Sequence, residues 1–339
     1  MFKKLFHNLI ELIKEEYKFI IFMILFIIVL EYPLDYYIVM GGGIKDAATR
    51  IEVEDKNKSE GSFNISYVSQ VDATILFYGV SYLIPTWERE SVDLYKYTEE
   101  EDIKDIQFRS DLDLLAANGN ATYWAYTLAN KEVEETSSKM YVIITYQEDY
   151  PTELKVGDEI QNIDGQEFQT VYDYSEYIQT KEVGETVSIQ VIRDQKEMTV
   201  SSKIYESNDR KILGIGLQVV KEYKTNPEVS IHFAKNESGP SGGLITTLEI
   251  YNQLTDQDIT QGYTIAGTGT IEEDGTIGQI GGIEHKILGA ASAKADIFLS
   301  PGGDNYKDAK KYIKEKKLKI KLIKADTIED AIKQLEGLD

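Results

Sequence analysis

Residues 237–243 read Glu237-Ser238-Gly239-Pro240-Ser241-Gly242-Gly243, between an expected strand at 228–235 and an expected helix at 241–254. Gly and Pro reshape such a turn so that a serine hydroxyl is presented at a helix N-terminus. There the free N–H groups and the positive end of the dipole can stabilise an oxyanion. Pro240 has no N–H, so donors must come from neighbours such as Ser238 or Ser241. Two readings stand at this point: Ser241 caps the helix, or it is a nucleophile. Residues 239–243 also fit G-x-S-x-G, but that plan needs an acid and then a histidine after the serine. Only His285 follows, with no acid marked out to orient it.

A nucleophilic serine needs a base, and the chain holds few. His7, His232 and His285 are its only histidines. The other candidate is Lys286, 45 residues after Ser241 in Ile280-Gly281-Gly282-Ile283-Glu284-His285-Lys286. To serve, a lysine must fall from a pKa of about 10.4 to about 7–8, roughly 4 kcal/mol of desolvation, within the range known for buried lysines. The residues alone leave His232, His285 and Lys286 open.

Working outward, the chain after about residue 210 alternates strand and helix. Helices are expected at 281–295, 305–317 and 327–336, and strands at 296–300 and 319–324. That rhythm argues for an α/β domain. Residues 140–204 differ: MYVIITY, the pair in LKVGDEIQNIDGQEF around Asp164-Gly165, VSIQVI and EMTVSS read as strands, with a short helix at 173–180. Upstream, 62–71 alternates like a strand and 102–129 reads as a long helix, with Gly119 a weak point inside it.

Composition excludes several chemistries. The 339 residues carry 58 acidic against 36 basic side chains, a net charge of −22. Nucleic acid is therefore not an expected partner. Cysteine is absent, which removes thiol catalysis, disulfides and Cys-ligated zinc. No G-x-x-x-x-G-K-S/T occurs, so no ATP site is expected, nor any metal or other cofactor.

Residues 19–30, FIIFMILFIIVL, are an unbroken apolar run, with Lys18 before it and Tyr32, Tyr36 and Tyr37 after it. Lys3, Lys4, Lys14 and Lys18 precede the run, Glu31 and Asp35 follow it, and no small-residue cleavage site appears. The expectation is an uncleaved anchor at 19–40, a cytoplasmic N-terminus at 1–18, and the remainder outside the cell membrane. Leu5, Leu9, Leu12 and Ile13 also have the spacing of a helix lying at the inner surface.

GPSGG followed by Lys286 in IGGIEHKILGA closely resembles the proteolytic domain of Lon proteases, which uses a Ser–Lys dyad. The intervening TIAGTGTIEEDGTIGQIGG is similar to that family's T-G-x-hydrophobic hairpin. The resemblance implies Ser241 as nucleophile, Lys286 as base and Thr268 as the threonine that hydrogen-bonds the lysine. Supporting and oxyanion candidates are Ser238, Gly239, Gly242 and Thr268. Two departures stand out: Gly242 replaces the usual Ala, and Ser238 stands where ATP-dependent Lons carry Asp.

LKVGDEIQNIDG resembles the second half of PDZ domains, with a peptide-binding loop implied around 135–141 and contacts at Lys139, Met140 and Tyr141. Together these segments resemble the membrane-anchored, ATP-independent Lon-like proteases of Gram-positive bacteria. The implied plan is an α/β (α+β) Lon-type domain with an inserted, β-rich PDZ and one N-terminal transmembrane helix. Its segments are a linker at 41–60, the first part of the Lon-like domain at 61–132, the PDZ at 133–207 and the catalytic part at 208–339. The expected partners are peptide or protein substrates, the membrane, and further copies of the chain. The expected activity is serine endopeptidase action on secreted peptides or flexible envelope segments. The rival readings are a non-catalytic membrane scaffold and a Ser–His hydrolase using His285.

Overall fold

The computed structural model describes residues 14–338 in full, and residues 2–13 only as backbone of the first helix. Lys3, Lys4, Leu5, His7, Leu9, Leu12 and Ile13, on which the sequence-based expectations for the N-terminus rest, lie outside the described side chains. The chain divides into two compact units, Met1–Gly41 with Ser69–Tyr95, and Gly42–Val68 with Lys96–Asp339.

The first unit begins with helix α1 (Phe2–Leu30), followed by strand β1 (Pro33–Asp46), whose residues from Gly42 on belong to the second unit. The apolar reading at 19–40 therefore needs correction: helix ends at Leu30, and residues 33–40 are strand. Pro33 cannot continue a helix and biases the residue before it away from helical geometry. Strand β2 (Ser62–Thr74) leads into helix α2 (Ile75–Ser81), capped by Thr74 Oγ1 accepting from Phe77 N. Strand β3 (Glu88–Ser91) then pairs antiparallel with Tyr36–Val39 of β1. Phe19, Phe22, Leu25 and Ile28 of α1 are more than half exposed. Among the described residues no helix is long and apolar enough to cross a membrane.

The second unit contains helix α3 (Ile103–Leu128), opened by a capping box between Asp102 and Asp105. Gly119 does not interrupt it. A Cβ there would lie 2.7 Å from the Lys221 carbonyl oxygen, so the missing side chain lets helix and strand approach closely. The strand it meets belongs to a five-stranded antiparallel sheet. In chain order its strands are β4 (Glu132–Thr145), β5 (Glu159–Ile163), β6 (Thr186–Arg193), β7 (Lys196–Lys203) and β8 (Ile215–Asn226). In space the order is β8-β4-β5-β6-β7, with helix α4 (Val171–Gln179) between β5 and β6 in sequence. Val142, Ile163, Ile189 and Ile178 of α4 share its core. Because β8 pairs with β4 along its whole length, this sheet extends beyond residue 207 to Asn226.

The remainder is a parallel α/β layer. Helix α5 (Gly243–Leu254) precedes β9 (Thr264–Gly267), and α6 (Ile283–Ser292) precedes β10 (Ile297–Pro301). Helix α7 (Gly303–Lys316), β11 (Lys321–Ala325) and α8 (Ile328–Glu336) follow. Strand β9 lies between β2 and β10, and β10 pairs with β11, all parallel. Ile265 and Leu299 join the core that holds α5, while the alternate residues Ala266 and Phe298 join the one that holds α6. Helices on both faces bury the central strand β10 completely and β9 nearly so, as a parallel sheet requires, while Lys321 and Lys324 of the edge strand β11 stay exposed. The strand expected at 228–235 shrinks to Val229–Ile231. After β9 the expected hairpin reduces to a tight turn, with Glu272 N donating to Thr276 O at 3.0 Å.

Candidate active site

Ser241 sits in a 3-10 turn, Pro240–Gly242, that runs directly into α5. Three glycines shape it, two of them by necessity. Gly239 has φ +84°, a region side chains disfavour, and its N–H donates to the Ser110 carbonyl of α3 at 2.9 Å. A Cβ on Gly243 would come within 2.9 Å of Ile271 N. Pro240 fills the first helical position, where a missing N–H costs nothing. The Ser241 carbonyl accepts from Gly269 N at 2.8 Å and from Thr268 Oγ1 at 3.0 Å, which fixes the backbone under the hydroxyl.

Lys286 lies in the first turn of α6, after Gly282 in the left-handed region (φ +67°). Its Nζ is 2.9 Å from Ser241 Oγ and 3.0 Å from Thr268 Oγ1. Ser66 Oγ donates to the Lys286 carbonyl at 3.2 Å. Helices α5 and α6 flank opposite faces of the sheet, and Thr268 directly follows β9. The three side chains thus meet at the carboxyl end of that strand. The lysine is 4% exposed, and among the described residues no carboxylate pairs with it. Burial alone pushes its pKa down to about 8, because a charged ammonium loses hydration without gaining a counter-ion.

This arrangement suits proton transfer. Thr268 donates its own hydrogen to the Ser241 carbonyl, so towards Lys286 it can only accept. A neutral amine that donates one N–H to Thr268 can turn its lone pair to the Ser241 hydroxyl. His285 precedes Lys286 on the helix, and successive residues project about 100° apart, so it aims elsewhere. His232 is exposed, and its main-chain N–H bonds to the Arg50 carbonyl at 2.8 Å.

Other expectations need correction. The Gly239 N–H, spent on Ser110, is not available as an oxyanion donor. Ser238 is exposed beside the turn, whereas Gly242 lies within it. Lys139, Met140 and Tyr141 are not in a loop but inside β4, where Met140 and Tyr141 are paired on one side to β8 and on the other to β5. Met140 is core, Lys139 pairs with Glu222, and Tyr141 donates to Glu159. A strand paired on both sides cannot accept an added strand; the terminal strands are β8 and β7.

Glu237 has a role that its sequence context does not signal. Its carboxylate receives Lys45 Nζ, Arg50 Nε and Nη2 at 3.0 and 2.9 Å, and Ala234 N at 2.8 Å. Despite burial these donors pull its pKa down to about 2. Four residues before Ser241, it ties the turn to the end of β1 at Lys45 and to Arg50 just beyond it. Removing it in Glu237→Ala should lower kcat/KM on a short peptide by about 10- to 100-fold through misplacement of the hydroxyl. A steady-state assay with a fluorogenic peptide checks this, and an unchanged value would deny the tie any influence. No local pattern marks Ser66, Ser110, Lys45 or Arg50; only the fold brings them here.

With this geometry in view, comparison with known proteins is informative. Residues 195–336 match the Lon protease (S16) C-terminal proteolytic domain. Residues 132–204 match a PDZ domain. A Lon protease of Clostridium acetobutylicum is 30% identical over 115 residues, 33% of this chain and 14% of that protein. One from Phenylobacterium zucineum is 32% identical over 130 residues, 38% of this chain and 15% of that protein. The chain thus spans about a seventh of the length of these curated relatives. The PDZ domain of an SdrC-like protein from Listeria monocytogenes is 28% identical, covering 25% of this chain and 92% of that one with a TM-score of 0.23. The mixed α/β chain therefore carries a PDZ domain and a Lon-type proteolytic domain, which supports serine peptidase activity and peptide binding.

Proposed function

We propose that this chain is an ATP-independent serine endopeptidase in which Ser241 is the nucleophile and Lys286 the general base. One observation carries the reading: Lys286 Nζ, buried and without a carboxylate among the described residues, lies 2.9 Å from Ser241 Oγ. The neutral amine takes the hydroxyl proton as Oγ attacks the scissile carbonyl carbon. The developing oxyanion lies at the start of α5, where main-chain N–H groups and the helix dipole offset its charge. The resulting ammonium then protonates the leaving amine, and water releases the acyl group by the same exchange in reverse.

An ATP-independent peptidase needs substrates that arrive already extended. The outer edge of β8 offers such a segment a row of backbone groups. The first experiment incubates the full chain, without ATP, with an unfolded polypeptide and with its folded form. Mass spectrometry should find cleavage of the unfolded form alone, and none with Ser241→Ala. Equal cleavage by that variant would refute the assignment.

The tether is α1. Exposed Phe19, Phe22, Leu25 and Ile28 are an apolar surface that water does not favour, and we assign it to the bilayer. Lysines before the run and acids after it favour an N-terminus inside and the residues beyond 40 outside. Protease added to intact cells should then degrade residues 96–338. Their full protection would reverse the topology.

A further inference from the structure

A cavity of about 630 Å3 opens beside Pro240, the residue before Ser241. It is lined by β8 from Leu217 to Lys221, by α3 at Asp113, by the start of α4 and by the loop 270–273. Strand β8 is terminal in its sheet, so one row of its N–H and C=O groups is not used by β4. The cavity beside this row is lined by Pro240, the neighbour of the candidate nucleophile in the chain.

The charges in this cavity are unbalanced. Its lining carries three carboxylates, Asp113, Glu272 and Glu273, against one ammonium, Lys221, which lies 3.5 Å from Glu273. Asp113 accepts from Gln218 Nε2 at 3.0 Å, and that bond fixes which way the amide points. The other end, Gln218 Oε1, is buried and has no hydrogen-bond partner. A buried acceptor left unpaired costs about 1–3 kcal/mol, so the site is short of a donor. Burial and the nearby Glu272 also push the Asp113 carboxyl up, against the pull of Gln218 and Arg109.

We infer that this cavity is a specificity subsite for a lysine or arginine side chain of an extended peptide, donating to Asp113 and to Gln218 Oε1 while the scissile bond lies at Ser241. A cation supplies both missing elements at once, a positive charge and spare N–H donors, which an aliphatic or acidic side chain cannot. The inference deepens the peptidase reading and depends on it only for cleavage, not for binding.

The test uses the full-length Ser241→Ala protein and labelled unstructured peptides that differ at one position, Lys, Arg, norleucine or Glu. Fluorescence anisotropy should show the Lys and Arg peptides binding at least about tenfold more tightly than the norleucine peptide. Asp113→Asn, and separately Glu272→Gln, should shrink that ratio, and Asp113→Lys should shift preference to the Glu peptide. Equal binding of Lys and norleucine peptides would overturn the inference. So would a preference that survives both Asp113→Asn and Glu272→Gln. Turnover of the same peptides by the unmutated chain separates the two claims. Selective binding without cleavage sinks the peptidase reading alone, and cleavage without basic preference sinks the subsite alone.

Discussion

Ser241→Ala and Lys286→Ala should each lower peptide turnover by about 10⁴- to 10⁶-fold, and the double variant should lose little more, because groups that act as a unit are not additive. Lys286→Arg should be equally inactive, since a guanidinium stays charged near neutral pH. The pH profile carries the sign of the argument. An ordinary lysine loses its proton at 10.5, whereas burial brings Lys286 to about 8. The neutral, basic form therefore accumulates as pH rises through about 8, and rate should climb with it. As pH falls below 8 the amine is protonated and the rate should drop about tenfold per unit. Peptide cleavage measured from about pH 6 to 10 reads all of this. Appreciable activity in Lys286→Arg, or a flat profile, would return attention to His285.

Gly119→Ala should destabilise the fold by about 1–3 kcal/mol, although alanine is the better helix former by about 1 kcal/mol. The two effects oppose each other, and the contact decides. A methyl there would sit 2.7 Å from the Lys221 carbonyl oxygen, a backbone atom that cannot swing aside. Gly119→Val should cost more. Urea unfolding followed by circular dichroism gives the comparison, and a midpoint equal to or above that of the unmutated chain would show that helix and strand separate freely.

That glycine also shows where sequence reading stops. From propensity, Gly119 looks like a break in the helix; its role appears only beside Lys221, a hundred residues away. Periodicity does find α3, α7 and α8 to within about two residues. It errs at 33–40, where Tyr36–Met40 are apolar enough to extend the preceding run although Pro33 ends the helix. At 139–141 periodicity finds the strand from Met140 onward, and it is the PDZ resemblance that errs in expecting a peptide-binding loop there, because whether a strand is central or terminal depends on partners, and the partner here is β8. At the site, the residues alone leave the base open between His232, His285 and Lys286; the resemblance to Lon-type domains singles out Ser241, Thr268 and Lys286, and their side chains do meet. The carbonyl of Ser110, the hydroxyl of Ser66 and the cations around Glu237 carry no local signature, because hydrogen bonds to distant backbone leave no pattern in the chain.

The pairing of Glu132 with Asn226 has a consequence for how the chain assembles. These residues, 94 apart in sequence, are neighbours across β4 and β8, and their side chains are joined at 3.0 Å. Bringing the ends of a flexible segment of that length together would cost about 4 kcal/mol in loop-closure entropy. The antiparallel ribbon meets this cost from its own hydrogen bonds and from the five-stranded sheet it belongs to. Once that sheet forms, α3 and the strands after residue 226 are as near as if the chain had made a short turn. The long excursion between the two halves of the α/β layer therefore acts, in the search for the native state, as a brief one.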